Sequence, residues 1–268
     1  MKPKFLMLIA LLVSGLGFAQ QPAQNPPAKP VRFIVNSDHV KPGMAQQYEQ
    51  AMKNVVAFFK ANNVTAPSFY FTTFQGTEFD YVYVTSFGDF ADLDKSRSDY
   101  NDLGKQVGAE KLDQITNSAN PYIESSETWE LRYRPDLSYK AETGAPNPSE
   151  NRYRMVEYYY VMADKDNEAE SVAKDWLALF KSKKIADSYE ILQGGIGPAT
   201  PLWVVVRIAK DEGDLAAKLK QQDEAFGDAG KQLEARTFAI TRKFSQHGLW
   251  TRPDLSYVPG AMGSRNSQ

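Results

Sequence analysis

Arg134-Pro135-Asp136-Leu137-Ser138-Tyr139 recurs letter for letter as Arg252-Pro253-Asp254-Leu255-Ser256-Tyr257, 118 residues further along the chain. Agreement over six consecutive letters is improbable by chance, so the flanking sequence is where a duplicated unit should show. It yields more matches: Phe59-Lys60 with Phe180-Lys181, Gln75-Gly76 with Gln193-Gly194, and Gly104-Lys105-Gln106 with Gly230-Lys231-Gln232. The offsets drift, as insertions in loops cause. Two copies are too few for a solenoid. They read as a tandem of like units, 31–139 and 152–258, with the Pro-, Gly- and polar-rich stretch 140–151 (KAETGAPNPSEN) as the linker.

Each copy shows the same order of patterns. In the first, 31–35 (VRFIV) is β-rich, and Pro42-Gly43 leads into a helix with Met44, Tyr48, Met52, Val55 and Phe59 on one stripe. Residues 69–74 and 79–85 are β-rich runs joined by a short polar stretch containing Gly76, which predicts a hairpin. A second helix follows with Phe90, Leu93, Tyr100 and Leu103 on one side. A short helix through Leu112 and Ile115, limited by Pro121, and a strand within 122–129 complete the unit. In the second copy, 154–162 (RMVEYYYVM) predicts a strand. Asp164 or Asn167 can cap a helix carrying Val172, Trp176 and Phe180. Residues 188–193 and 202–208 form the hairpin pair. Leu215, Leu219, Phe226 and Leu233 fall at helical spacing, and 237–244 predicts the final strand.

The order β-α-β-β-α-β is the ferredoxin-like split unit, a four-stranded antiparallel sheet with both helices on one face. Its other face is solvated in a one-sided sheet, and apolar residues then alternate with polar ones. Here both parities are apolar. Tyr81 and Tyr83 point one way and Val82 and Val84 the other; 203–206 (WVVV) and 158–160 (YYY) behave alike. The second face is therefore expected to be buried against its counterpart in the other copy, since soluble proteins rarely leave such patches wet. The expected fold class is α+β: two tandem ferredoxin-like βαββαβ units with antiparallel sheets facing each other. This combination resembles the dimeric α/β-barrel superfamily, including antibiotic-biosynthesis-monooxygenase-like and NIPSNAP-like domains, whose members pair two sheets into a barrel. The resemblance covers roughly 31–257 and rests on pattern. It implies an architecture and brings no catalytic motif that can be carried over residue by residue.

The ends of the chain carry an address. Lys2 and Lys4 precede an apolar run over 5–13, and Gly17-Phe18-Ala19 supplies small residues around a cleavage site. This predicts a signal peptide over 1–19, cut near Ala19, and a periplasmic or secreted product. The apolar run is shorter than the ~20 residues a spanning helix needs, and no later run is longer, so no membrane span is expected after signal removal. Residues 20–30 (QQPAQNPPAKP) read as a disordered leader and 259–268 as a flexible tail. The absence of Cys removes disulfides and thiolate chemistry. A net charge of −2 offers no basic field to nucleic acid.

The sequence narrows the chemistry mainly by elimination. His39, placed after the first strand, is read either as a base, metal or haem ligand at a barrel mouth or as a solvated loop residue. His247 lies in the turn-like Gln246-His247-Gly248, and no histidine spacing matches a zinc motif, so no metal is expected. The run 164–168 (DKDNE) mimics the opening of a calcium loop, but Ala169 and Asp175 stand where Gly and Glu are required. Charge compensation at a helix start explains it, as it does Asp89, Asp92 and Asp94 and their counterparts Asp211, Glu212 and Asp214. Residues 194–198 (GGIGP) lack phosphate-loop spacing and read as a hairpin loop. The hexamers read as structural clips, in which Pro-Asp turns the chain, Arg pairs with a carboxylate, and Leu and Tyr reach a core; a recognition loop presented twice is the alternative.

His39, Glu157 and Arg207 remain as catalytic candidates. Tyr81, Tyr83, Tyr158, Tyr160 and Trp203 are the candidate lining of a chamber in the barrel interior. The expected function is binding of a small apolar or aromatic ligand, or of a partner protein, without catalysis. The alternatives are a cofactor-independent monooxygenase or isomerase acting on an aromatic substrate, and a haem protein using His39.

Overall fold

The computed structural model describes residues 31–142 and 149–259. The expected signal peptide and leader, the centre of the linker and the tail from 260 onward lie outside the described residues. The first half runs β1 (Arg32–Val40), α1 (Ala45–Ala61), β2 (Thr72–Gln75), β3 (Asp80–Phe87), α2 (Ala91–Val107), α3 (Ala109–Thr116) and β4 (Ile123–Tyr133). The second runs β5 (Tyr153–Val161), α4 (Asp166–Ser182), β6 (Tyr189–Gly194), β7 (Leu202–Ala209), α5 (Glu212–Ala239) and β8 (Thr241–Thr251). Among the described residues no helix is long and apolar enough to cross a membrane.

The eight strands close into one antiparallel barrel in the order β1-β3-β2-β8-β5-β7-β6-β4. Each half contributes four consecutive staves, β4-β1-β3-β2 and β8-β5-β7-β6, in the same relative order. Two seams join them. β2 meets β8 with Phe74 opposite Thr251, and β4 meets β6 with Leu131 opposite Gly194. The fold is thus α+β, of the dimeric α/β-barrel type. The inner faces of the two sheets bury each other across the lumen, as the sequence led us to expect of a barrel-type arrangement, and the sheets are not separate layers. They join edge to edge, and closure pairs strand edges that would otherwise be open.

Closure explains why both strand parities are apolar. One parity fills the lumen: Val35 and Leu131 from the first half pack with Val156, Leu192, Val204 and Leu249 from the second, and Phe33, Val82, Trp129, Tyr158 and Tyr160 add to them. The other parity faces the helices. Tyr159, Ile191 and Trp203 pack on α4 and α5 in the second half, and Val40 and Tyr81 pack on α1 in the first.

The helices bury the stripes their spacing dictates, with corrections. In α1 the buried positions are Tyr48, Ala51, Val55, Val56 and Phe59, while Met44 precedes the helix and is exposed. Phe90 and Leu93 are exposed too. Phe90 lies before α2, its ring against Phe87 at 5.8 Å and under the Arg32 guanidinium at 5.2 Å, so it is anchored at the sheet's edge instead of in the core. Neither Asp164 nor Asn167 caps α4, whose N-cap is Lys165 without a side-chain bond. The expected strand over 237–244 begins only at Thr241. Thr237 belongs to α5 and returns its hydroxyl to the Leu233 carbonyl at 2.8 Å.

A glycine interrupts the second helical segment of each half. Gly108 (φ 93°) separates α2 from α3, and Gly227 (φ 55°) kinks α5 without ending it. These backbone conformations suit a residue without a Cβ. Aligning the two breaks puts Gly104 before one and Gly230 after the other, so the Gly-Lys-Gln triplets matched in the sequence are not equivalent.

The hexamers are clips, and each clips the opposite half. Leu137 and Tyr139 enter the core of the second half, where the Tyr139 hydroxyl donates to the Ile185 carbonyl at 2.8 Å. Leu255 and Tyr257 enter the first half, where the Tyr257 hydroxyl donates to the Val64 carbonyl at 2.6 Å. Arg252 grips Glu49 of α1 through two bonds of 2.6 and 2.7 Å, and Arg134 reaches Glu170 of α4 at 3.2 Å. Each arginine also holds the aspartate two residues on, Asp254 and Asp136 respectively. Ser256 and Ser138 receive the backbone N–H of Thr73 and Ile191, both at 2.8 Å. Full burial of one such leucine stabilises by about 1.5–3 kcal/mol, so the exchange binds the halves tightly.

Candidate functional site

A cavity of about 600 Å³ opens in the second half, between α4, α5 and the helix-facing side of β5–β8. The sequence placed a chamber inside the barrel. The lumen instead carries the shared apolar cluster, and the open space lies on the other face of the same sheet. It exists because α4 presents small residues there: Ala169, Val172 and Ala173 line it, as does Val205 from the sheet.

Its walls are aromatic. Phe180 lies 5.0 Å from Phe226 and 4.7 Å from Tyr189, and Trp176 lies 5.8 Å from Phe226. Both indole N–H groups are occupied, Trp176 by the Thr237 hydroxyl at 3.1 Å and Trp203 by Asp166 at 2.8 Å, which fixes the ring planes. The sheet also supplies a polar end. Arg207 of β7 donates through Nε to Glu157 of β5 at 3.4 Å and through Nη1 to Gln222 of α5 at 3.2 Å. Gln222 in turn donates to Asp187 at 3.5 Å. Burial, reinforced by the Glu157 carboxylate, pushes the Tyr159 hydroxyl well above the usual phenol range. Burial does the same to Tyr189. The Tyr189 hydroxyl is buried and has no hydrogen-bond partner among the described residues, an unusual state for such a group. Along the mouth, Gly227, Lys231, Glu234 and Phe238 form one stripe of α5 opposite Phe244 and Gln246 of β8.

The corresponding space in the first half is filled. Tyr48 and Ala169 are each the fourth residue of their helix, α1 and α4. Tyr81 lies opposite Asp38 as Trp203 lies opposite Tyr159. Tyr48 and Tyr81 are wholly buried with ring centroids 4.6 Å apart. Tyr48 donates to the buried Asp38 at 2.8 Å, and Ser126 donates to the other oxygen of that carboxylate at 2.5 Å. Tyr81 donates to Glu49 at 2.9 Å.

The candidates therefore scatter over three places. Glu157, Arg207 and Trp203 meet in the cavity. Tyr81 and Tyr83 belong to the first half and do not line it; Tyr158 and Tyr160 pack in the lumen. His39 is not in a loop. It is a β1 residue whose Nδ1 lies 2.6 Å from Asp80, and whose Nε2 is 3.9 Å from Glu124. That bond to Asp80 raises its pKa. His39 does not line the cavity, so it is not placed to ligate a haem there or to act as a base beside Glu157. His247 is likewise a strand residue, in β8, edge-on to Tyr158 at 5.7 Å. Among the described residues no group of three or more His, Asp or Glu could hold a metal ion.

Sequence reasoning missed Tyr159, Trp176, Tyr189 and Gln222. Tyr159 was in view, between two tyrosines of opposite parity. The more telling signal was a difference between the halves: a large ring at Tyr48, fourth in its helix, where the second half has Ala169.

Barrels of this kind occur among solved structures. An anthrone oxidase-like protein superposes with a TM-score of 0.54 at 11% identity, over 84% of this chain and 92% of that one. A mutant chlorite dismutase from Candidatus Nitrospira defluvii superposes with a TM-score of 0.51 at 8% identity, over 84% and 92% of the two chains. At these identities the likeness is one of fold. No family model and no curated protein matches the sequence.

Proposed function

We propose that the second half is a chamber for a planar aromatic molecule bearing a phenolic or enolic oxygen. The observation that carries this reading is a cavity walled by Trp176, Phe180 and Phe226 with Glu157 and Arg207 together at one end. A flat apolar body suits the walls, and a hydroxyl suits the polar end. The Glu157 carboxylate can accept its proton while the Arg207 guanidinium balances the oxyanion. Tyr189 has a free O–H to donate to a second oxygen. Deprotonation of a phenol or enol is the first requirement for its oxidation without a cofactor, and the anthrone oxidase-like neighbour makes this the chemistry to test. In this reading the halves descend from one ferredoxin-like βαββαβ unit akin to the monooxygenase-like and NIPSNAP-like domains. The product is exported by its signal segment. The identical relative strand order of the halves supports the common descent.

The experiment is titration of the indole fluorescence with anthrone and naphthols, followed by oxygen uptake. The reading expects binding that Ala169→Tyr abolishes, and oxygen consumption that Glu157→Gln lowers at least about 100-fold with binding retained. Binding without oxygen consumption would leave a non-catalytic carrier. Failure of every aromatic to bind, or binding indifferent to Ala169→Tyr, would overturn the chamber.

A further inference from the structure

We propose that one end of the cavity mouth is a docking surface for an anionic lipid bilayer. Met162, Phe238 and Phe244 are 38%, 45% and 37% exposed, a high fraction for large apolar side chains. They form one corner. The Phe238 and Phe244 rings lie 5.5 Å apart, both near the Tyr159 ring, and the Met162 backbone N–H bonds to the Ile240 carbonyl. Exposed apolar groups gathered in one place mark an interaction surface far more often than scattered ones do.

The charges beside them select the partner. Arg242 and Lys243, at the start of β8, are exposed, and among the described residues neither forms a salt bridge with a carboxylate. Arg242 donates to the Val161 carbonyl at 3.1 Å, and both cations lie over the Tyr160 ring. Lys165, close by in sequence, is already paired with Glu168 at 3.0 Å. The carboxylates on this side are Asp164, two residues from Met162, and Glu234, one turn before Phe238 on α5 and neighboured by Lys231 along the mouth. Aromatic and thioether side chains flanked by unpaired cations match the two layers of an anionic membrane surface, the acyl boundary and the headgroups.

The first half provides an internal control. At the equivalent positions it carries Lys41, Asn120, Glu124, Ser125 and Ser126, a corner with none of the apolar side chains and with a single cation beside a carboxylate in place of two adjacent cations. The difference coincides with the open cavity, which Phe238 and Phe244 also line. Docking here would turn that mouth toward the lipid. It does not depend on which molecule the cavity takes.

The test is co-sedimentation of the protein with vesicles of phosphatidylcholine alone and of phosphatidylcholine mixed with phosphatidylglycerol. Binding is expected to the mixed vesicles only and to fall with added salt. Arg242→Glu with Lys243→Ser should weaken partition at least about thirtyfold, the effect of losing two cations near such a surface before the repulsion of the new carboxylate is added. Phe238→Asn with Phe244→Ser should weaken it at least about tenfold. These positions are exposed, so circular dichroism should show the fold retained. Absence of binding to the mixed vesicles, or binding that both double variants leave unchanged, would overturn the proposal. So would sedimentation as a dimer that Phe238→Asn dissociates, because a second copy would then own the corner.

Discussion

The two halves of this barrel share a strand order, a helix break and a reciprocal clip, yet one is solid and the other hollow. The difference comes down to a few side chains between helix and sheet. In the first half Tyr48 and Tyr81 occupy the space and are held by Asp38 and Glu49. In the second, Ala169 stands where the first half has Tyr48 and leaves it open, with Glu157 and Arg207 at its edge. The backbone therefore does not make the site. It provides two equivalent places, and side-chain volume decides which of them can take a guest.

The sharpest way to break this comparison is to exchange the volumes. Tyr48→Ala should cost about 4 kcal/mol, because it opens a void and strips Asp38 of a donor. Ala169→Tyr should change stability by no more than about 1 kcal/mol, because the ring has room to enter. Urea unfolding of both variants measures the asymmetry, and equal costs would mean that the cavity is not open space.

The clips come next. Leu255→Ala and Leu137→Ala should each cost about 3 kcal/mol. Hydrogen exchange should locate the damage in the opposite half, faster in α1 for the first variant and in α4 for the second. Loosening within the half that carries the mutation would contradict the reciprocal packing.

Acid should sharpen the contrast further. The Arg252 guanidinium holds the Glu49 carboxyl below its ordinary range, whereas Glu170 is lowered first by Lys174 and only then by Arg134. The stabilisation from Glu49 is complete above its unfolded pKa and disappears as pH falls through the lower folded value. Glu49→Gln should therefore flatten the acid limb of stability measured against pH, and Glu170→Gln should flatten it less. The smallest effect concerns His39. Its raised pKa means that its contact with Asp80 contributes fully below the ordinary imidazole range and is lost as pH rises through the folded value. Proton NMR should show the His39 ring titrating above 6.5 and returning toward the ordinary value in Asp80→Asn.

Much of the architecture was legible in the letters. Short β-rich runs such as 81–84 and 203–206 located the strands, and apolar residues at both parities showed that both sheet faces are covered. The repeated hexamer announced a clip because Arg, Leu and Tyr each have only one kind of stable seat. What could not be read was which half each clip would reach, since contacts between residues 36 to 203 positions apart leave no local pattern. The cavity was equally hidden. Tyr159 and Tyr160 are adjacent letters of one type, and only closure of the barrel sends one toward the helices and the other into the lumen. His39 and His247 looked like loop residues because Pro42 and Gly248 stand near them, yet His39 lies inside β1, which ends at Val40 just short of Pro42, and His247 lies in a ladder that runs past Gly248.

The mutual exchange of hexamers bears on how such a molecule can change. A unit whose last turn seats only in its neighbour is already half of a pair, whether or not the two are joined. Two separate but identical chains would be bound to symmetry, since any enlargement of one core would enlarge both. Within one chain that constraint is absent: one half can stay filled and guarantee closure, and the other can carry an interior.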